Sequence, residues 1–281
     1  MLRRVTARTA AGAAGLALVA GLAPLAMADP AQHNPSGPKP TVVLVHGAWS
    51  DSSSWGGVIK RLHRDGYRVN AAALPLRGLS SDAAYVSDYL KSIPGPIVLV
   101  GHSYGGSVIT NAARGNTNVK ALVYVAAFAP DKGETSNELV AKFPGTHITD
   151  DPDAPVPTAL NAVPFTQADG TQGIDLYLKP DHYRDMFLND SVSNSDVAAL
   201  SAEQRPVTAQ ATNEASGEPA WKSIPSWYLV AKNDHTIPAA AEKFMAKRAH
   251  AHTVEVDAPH VAALTNPGAV TGLVEQAAQA R

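Results

Sequence analysis

Between residues 41 and 281, short apolar runs rich in β-branched residues alternate with longer amphipathic segments. The apolar runs predict buried strands at Thr41–His46, Tyr67–Leu74, Ile97–Val100, Val119–Ala126, Ser226–Ala231 and Thr253–Val256. The segments between them predict helices at Ser52–Asp65, Ser80–Ser92, Tyr104–Arg114, Pro238–Arg248 and Pro267–Ala280. This alternation indicates an α/β fold, with a mostly parallel six-stranded sheet covered by helices on both faces.

Residues 130–220 break the alternation. They are rich in Pro, Asp and Asn, contain short helical pieces such as Ser195–Glu203, and show no clear strand. We expect this inserted segment to lie above the carboxyl edge of the sheet as a cap that shapes a substrate pocket. The alternative is an inserted segment that lies on the surface and shapes no substrate pocket.

Residues 1–28 have the features of an excised signal peptide. Three arginines precede the apolar segment 10–26, and Ala26-Met27-Ala28 fits a small-residue cleavage site. A membrane anchor is the alternative, which the small residues and the cleavage site disfavour. We therefore expect a Pro-rich leader at residues 29–40, a single domain at 41–281, and a secreted protein with no membrane-bound part after signal removal.

Charge and composition exclude several partners. The chain has 23 basic and 25 acidic residues, and without residues 1–28 the balance is 20 to 25, or −5. A mildly acidic protein has no electrostatic reason to bind nucleic acid or anionic lipid. There is no cysteine, which excludes a disulfide and a thiol nucleophile. The ten histidines show no metal-ligand spacing, so we expect neither a metal nor a cofactor.

The third predicted strand ends in Gly101-His102-Ser103-Tyr104-Gly105, directly before a predicted helix. In this strand–turn–helix context, the G-x-S-x-G pattern is typical of a serine nucleophile held above the edge of a sheet. The flanking glycines permit a sharp turn because they have no Cβ. Ser103 is therefore the candidate nucleophile.

A serine hydroxyl needs a positioned base, and the base needs an orienting acid. In a sheet of this kind both follow later strands, in the order Ser, Asp or Glu, then His. The fifth strand runs into Asp234 and the sixth into His260, which we predict to be the acid and the base. Asp131, after the fourth strand, is the chief rival acid, and Glu134 and Asp257 are weaker ones.

Attack on a carbonyl creates an oxyanion, which fixed N–H donors must stabilise. One expected donor is the amide of Tyr104, at a helix N-terminus whose dipole favours negative charge. The other is the amide of Ala48 in His46-Gly47-Ala48-Trp49, where Gly47 allows close approach. The alternative is that segment 46–49 is only a strand-to-helix turn and donates no hydrogen bond to an oxyanion.

Together these motifs resemble the α/β-hydrolase superfamily. The resemblance is to its compact six-stranded branch of carboxylesterases, related to plant methyl-ester esterases and hydroxynitrile lyases. It covers residues 41–281 and rests on the segments 46–49, 101–106, 233–234 and 259–260. It implies Ser103 as nucleophile, His260 as general base and Asp234 as its acid. It also implies the amides of Ala48 and Tyr104 as the oxyanion hole.

The same resemblance favours an esterase over a lyase. The lyase members carry a threonine where this chain has Gly47, and a lysine directly after the catalytic histidine, where it has Val261. Both lyase-specific groups are missing.

The sequence therefore predicts a secreted serine carboxylesterase that hydrolyses a small to medium carboxylic ester through an acyl-enzyme, without a cofactor. A lactonase, a hydrolase of bulkier aromatic or polymeric esters, and a cofactor-free peroxidase are alternatives on the same scaffold. A secreted binding protein that has lost catalysis is the alternative from another class. The aromatic side chains considered for an acyl pocket are Trp49, Trp55, Phe128, Phe143, Phe165, Tyr177 and Phe187.

Overall fold

The computed structural model describes residues 38–280; the predicted signal peptide and most of the Pro-rich leader lie outside this range. In chain order the strands are β1 Thr41–Val45, β2 Arg68–Ala72, β3 Ile97–Ser103, β4 Val119–Ala127, β5 Leu160–Thr166, β6 Gln172–Leu178, β7 Val207–Thr208, β8 Ser226–Ala231 and β9 His252–Val256. Six of them form one sheet in the order β2-β1-β3-β4-β8-β9. All five neighbouring pairs in this sheet are parallel, which confirms the predicted fold class.

The helices are α1 Gly56–Arg64, α2 Leu79–Lys91, α3 Tyr104–Ala112, α4 Ser136–Ala141, α5 Pro180–Phe187, α6 Asn194–Glu203, α7 Ala209–Asn213, α8 Ala239–Arg248, α9 Ala262–Thr265 and α10 Pro267–Gln279. The predicted helix at 52–65 begins as a 3-10 turn, Ser52–Trp55, and the Asp51 side chain caps this turn by accepting the Ser53 amide. Within residues 38–280, no helix is both long enough and apolar enough to cross a bilayer.

Both faces of the central sheet are buried. Along β1, Val43 and Val45 join the core formed with α2, α3 and α8, whereas Val42 and Leu44 join the core formed with α1 and α10. Successive side chains of a strand point to opposite faces. The apolar run of β1 is therefore continuous, since each residue from Val42 to Val45 belongs to one core or the other.

Residues 128–225, called the insert below, connect β4 to β8 and contain a second sheet, the antiparallel β5-β6-β7. The sequence showed no clear strand here, so this sheet was not predicted. β5 is exposed along most of its length and contains Pro164, so no buried apolar run marks it. The β5–β6 turn does carry a hairpin signal, Asp169-Gly170, and Gly170 adopts φ +85°.

Candidate active site

Ser103 lies at a sharp turn between β3 and α3. Its backbone adopts φ 53° and ψ −126°, a conformation that residues with a Cβ rarely occupy. Such strain persists only where the surrounding packing holds it in place.

Close backbone packing holds Ser103 in this conformation. A Cβ at Gly101 would lie 2.6 Å from the carbonyl oxygen of Gly105, and a Cβ at Gly105 would lie 2.6 Å from that of His46. A Cβ at Gly106 would lie 2.2 Å from the carbonyl oxygen of Phe128. These approaches are possible only for glycine, so the glycines of the motif follow from the packing around Ser103.

Two hydrogen bonds join Ser103, His260 and Asp234. His260 Nε2 lies 2.9 Å from Ser103 Oγ, and His260 Nδ1 lies 2.6 Å from Asp234 Oδ2. All three side chains are buried. Because Nδ1–H donates to the carboxylate, Nε2 is left as the acceptor for the Ser103 proton. The structure thus brings together the three residues that the sequence singled out.

Asp234 is itself held in place by backbone donors. Its Oδ1 accepts the amides of Thr236 at 2.7 Å and Ile237 at 2.8 Å. The rival acids make ion pairs elsewhere: Asp131 with Lys222, Glu134 with Arg248, and Asp257 with Lys232. Asp234 is therefore the acid that orients His260.

Glu242 is buried beside Asp234, and no local sequence pattern marks it. Its Oε2 accepts the Ala231 amide at 3.0 Å. Burial, followed by the charge of Asp234, raises the pKa of the Glu242 carboxyl well above its ordinary value of 4.5. Among the described residues Oε1 has no hydrogen-bond partner. The raised pKa favours the neutral carboxyl, which places no second negative charge beside the Asp234 carboxylate.

The two predicted oxyanion donors belong to the first turn of α3 and to the loop after β1, and both segments adjoin Ser103. Tyr104 is the first residue of α3, so its amide has no partner within the helix. On the other side, a Cβ at Gly47 would lie 2.6 Å from the Cβ of Ser103. Only glycine therefore lets the loop after β1, which carries the buried Ala48, approach the nucleophile this closely.

His46 orients the peptide group between Gly47 and Ala48. The Leu74 amide donates to His46 Nε2 at 2.9 Å, so Nδ1 carries the proton and donates to the Gly47 carbonyl at 2.8 Å. Burial lowers the pKa of His46, which keeps the ring in this neutral form. In a trans peptide the N–H points away from the C=O, so the bond also sets the direction of the Ala48 amide.

His102, within the serine motif, supports the base rather than the nucleophile. It is fully buried, and its Nε2–H donates to the carbonyl of His260 at 3.0 Å. Burial and repulsion by His260 lower the pKa of His102 well below its ordinary value. A neutral His102 therefore holds the His260 backbone without placing a second positive charge beside the base.

The insert contacts the loop after β1, which carries Ala48, through Trp49. The backbone N–H of Trp49 donates to the Arg205 carbonyl at 3.0 Å, and its indole N–H donates to the Leu176 carbonyl at 2.8 Å. The Tyr183 hydroxyl donates to the Trp49 carbonyl at 3.1 Å. Three parts of the insert thus hold the residue that follows Ala48.

The insert also packs on the base. The ring centroids of Phe187 and His260 are 5.0 Å apart, and the Phe187 carbonyl accepts the Val261 amide at 3.1 Å. Ser103 is consequently only 4% exposed. Of the aromatic side chains considered for an acyl pocket, Phe187 and Trp49 lie at the site, whereas Trp55 is buried in the core formed with α1 and α10.

A cleft of about 310 Å³ borders Trp49. Most of its lining is apolar, and the aliphatic side chains include Ile148, Val156, Leu160 and Leu176. An apolar cleft next to the loop after β1 suits the hydrocarbon part of a small molecule.

Comparison with known proteins identifies the family. The profile of the Alpha/beta hydrolase family matches residues 42–272. The alpha/beta hydrolase nvfD of Aspergillus novofumigatus (strain IBT 16806) is 26% identical over 85% of this chain and 97% of that protein. Methylesterase 8 of Arabidopsis thaliana is 26% identical over 72% of this chain and 75% of that protein. The crystal structure of polyneuridine aldehyde esterase shares the fold, with a TM-score of 0.70 at 19% identity over 85% of this chain and 98% of that one. The chain belongs to the alpha/beta hydrolase family.

Proposed function

We propose that the protein is a serine carboxylesterase that hydrolyses a small to medium carboxylic ester. The observation that carries this proposal is the hydrogen-bonded series Ser103–His260–Asp234, in which His260 Nε2 lies 2.9 Å from the hydroxyl oxygen of Ser103. Membership of a hydrolase family supports the same reaction class.

The reaction has two halves. His260 Nε2 takes the proton of Ser103 as Oγ bonds to the ester carbonyl carbon, and the amides of Ala48 and Tyr104 stabilise the oxyanion. The imidazolium of His260, which Asp234 stabilises, then protonates the leaving alcohol as the bond between the carbonyl carbon and the alcohol oxygen breaks. Water deprotonated by His260 attacks the acyl-enzyme, which releases the acid and restores Ser103. No step draws on a metal or a cofactor.

Hydrolysis of p-nitrophenyl acetate by the purified protein tests the proposal. We expect Ser103→Ala to abolish turnover and Asp234→Asn to lower kcat by several orders of magnitude, since an asparagine favours the wrong imidazole tautomer. Asp131→Asn is the matched control and should leave kcat unchanged. Full activity in Ser103→Ala would refute the mechanism, and a large loss in Asp131→Asn alone would reassign the acid.

A serine-directed fluorophosphonate separates the esterase from a non-catalytic binding protein. Covalent labelling requires an activated serine hydroxyl, so the esterase should be labelled at Ser103 and the Ser103→Ala variant should not. A wild-type protein that stays unlabelled would favour the binding protein.

The substrate class is proposed from the site and the relatives. The apolar cleft beside Trp49 supports an ester with an apolar group of modest size, and a relative named Methylesterase 8 supports a small alcohol. Initial rates on p-nitrophenyl esters of increasing acyl length, on aryl esters and on lactones should be highest for short to medium esters. A preference for lactones would instead favour the lactonase.

We propose that the protein acts outside the cell on a small molecule. The basic and apolar segments of residues 1–28 support export, and the net charge of −5 without them gives no reason to bind nucleic acid. Mass spectrometry of the protein from culture medium should find Asp29 at the N-terminus. Recovery of the intact chain from the cell fraction alone would contradict export.

A further inference from the structure

His147, Asp185 and His235 form a cluster that the ester chemistry does not use. Asp185 Oδ2 lies 2.6 Å from His147 Nδ1, and Asp185 Oδ1 lies 3.0 Å from His235 Nδ1. The two imidazole rings stack with their centroids 4.1 Å apart. One ligand-type atom from each residue lies within 4.8 Å of the other two. The three residues are far apart in the sequence, so linear spacing gave no sign of the cluster.

We propose that this cluster binds one divalent transition-metal ion, Zn²⁺ in the first place. Two imidazole nitrogens and one carboxylate form a donor set that suits zinc, with water in any remaining position. Calcium and magnesium prefer oxygen ligands, so the cluster should discriminate against both.

The geometry needs only a small adjustment. At zinc–ligand bonds of 2.0–2.2 Å in a tetrahedral site, ligand atoms lie about 3.4 Å apart. The two observed nitrogen–oxygen distances, 2.6 and 3.0 Å, are shorter by less than about 1 Å. The side chains of His147, Asp185 and His235 are 46%, 50% and 41% exposed, so they are free to make this adjustment and water can reach the ion.

Backbone contacts already hold the three segments together. The His147 amide donates to the His235 carbonyl at 2.7 Å, and the Thr146 hydroxyl donates to the Thr236 carbonyl at 3.0 Å. The Thr236 hydroxyl donates to the carbonyl of Met186, next to Asp185, at 2.8 Å. None of these bonds uses a ligand-type side chain, so the backbone of the site is pre-organised and only the side chains must be ordered on binding.

The ion would connect the insert to the loop that carries the acid. His147 and Asp185 belong to the insert, whereas His235 directly follows Asp234. An ion bound only by the folded chain stabilises it in proportion to the logarithm of the ion concentration above Kd. Zinc should therefore raise the melting temperature as well as give a binding signal.

Isothermal titration of the untagged, metal-free protein with ZnCl₂ at pH 7.5 tests the proposal. We expect one ion per chain, and at least tenfold weaker binding in both His147→Ala and Asp185→Ala. His63→Ala, which removes an exposed histidine on α1, is the matched control and should bind as the wild type does. Circular dichroism of each variant checks that it is folded.

Cobalt supplies a second measurement. Co²⁺ at the same site should give visible absorption bands that are absent in His147→Ala and that zinc displaces. Ser103→Ala should bind zinc normally, which separates this proposal from the proposed function. An absence of binding at millimolar zinc, or equal binding in the wild type, His147→Ala and Asp185→Ala, would overturn the proposal.

Discussion

The Nδ1–H of His46 donates to the carbonyl oxygen of Gly47 at 2.8 Å, and this bond orients the peptide whose N–H belongs to Ala48. The direction of one proposed oxyanion donor therefore depends on a buried imidazole that lies outside the series Ser103–His260–Asp234. The Leu74 amide fixes the tautomer of that imidazole from the other side. His46 is accordingly a positioning residue for the proposed reaction.

Removal of the imidazole should lower kcat more than it changes KM. Loss of an oxyanion donor costs about 10²–10³ in kcat, and misdirection of one should cost part of that, so we expect a fall of about 10- to 100-fold in His46→Ala. His46→Gln keeps a donor and an acceptor and should recover most of the rate. Steady-state kinetics with p-nitrophenyl acetate provide the measurement, and equal losses in the two variants would contradict the orienting role.

Glu242 should make the stability of the protein fall as the pH rises. Its pKa in the folded state is raised above the ordinary value of 4.5, so above that pH the folded state holds a proton that the unfolded chain has released. The free energy of unfolding then falls by about 1.4 kcal/mol per pH unit until the folded-state pKa is reached.

Glu242→Gln removes this titration while it keeps a neutral polar side chain of similar size beside Asp234. We expect the variant to be more stable than the wild type, by a margin that grows between pH 5 and pH 8, with kcat within about threefold. Urea unfolding of both proteins across this range measures the margin. A margin that does not change with pH would show that Glu242 has the same protonation state in both forms.

A methyl group at Gly106 should be poorly tolerated, because its Cβ would lie 2.2 Å from the Phe128 carbonyl oxygen. Overpacking of this kind costs at least about 1–3 kcal/mol. Gly272→Ala is the matched control: Gly272 lies inside α10 with nothing within 4 Å of the added methyl, so this change should stabilise by up to about 1 kcal/mol. Urea unfolding of the two variants should move the midpoint in opposite directions.

Tyr183→Phe, which removes the hydrogen bond between Tyr183 and Trp49, should speed the labelling of Ser103 by a fluorophosphonate. Because Ser103 is only 4% exposed, we expect the insert to move before a phosphonate reaches it. Loss of one neutral hydrogen bond in Tyr183→Phe changes that equilibrium by about 1 kcal/mol, or about fivefold. Tyr85→Phe, at an exposed position of α2, is the control. Equal labelling rates in all three proteins would mean that this contact does not limit access.

The parts of the molecule that the sequence predicted share one property: each is determined locally. The strands of the central sheet are continuous apolar runs because both of their faces are buried. Once the strands are placed, Asp234 and His260 follow as the polar residues just beyond two carboxyl ends. Ser103 is marked by glycines that its own turn requires.

The parts that were missed depend on partners distant in the sequence. Glu242 looks like an ordinary charged residue of α8 until folding places it beside Asp234. The hydrogen bond between Leu74 and His46 joins two segments that no local pattern relates. The β5–β6 hairpin is exposed, so it lacks the apolar periodicity that identifies a buried strand.

The burial of Ser103, together with the contacts that the insert makes with His260 and Trp49, has a consequence for how the range of substrates is set. A compound that reaches Ser103 by way of the insert is selected by its passage before it is selected by its fit. Substitutions on the outer surface of the insert can therefore broaden or narrow the set of compounds hydrolysed while every reacting group stays the same. Adaptation to a new ester need not begin at the nucleophile.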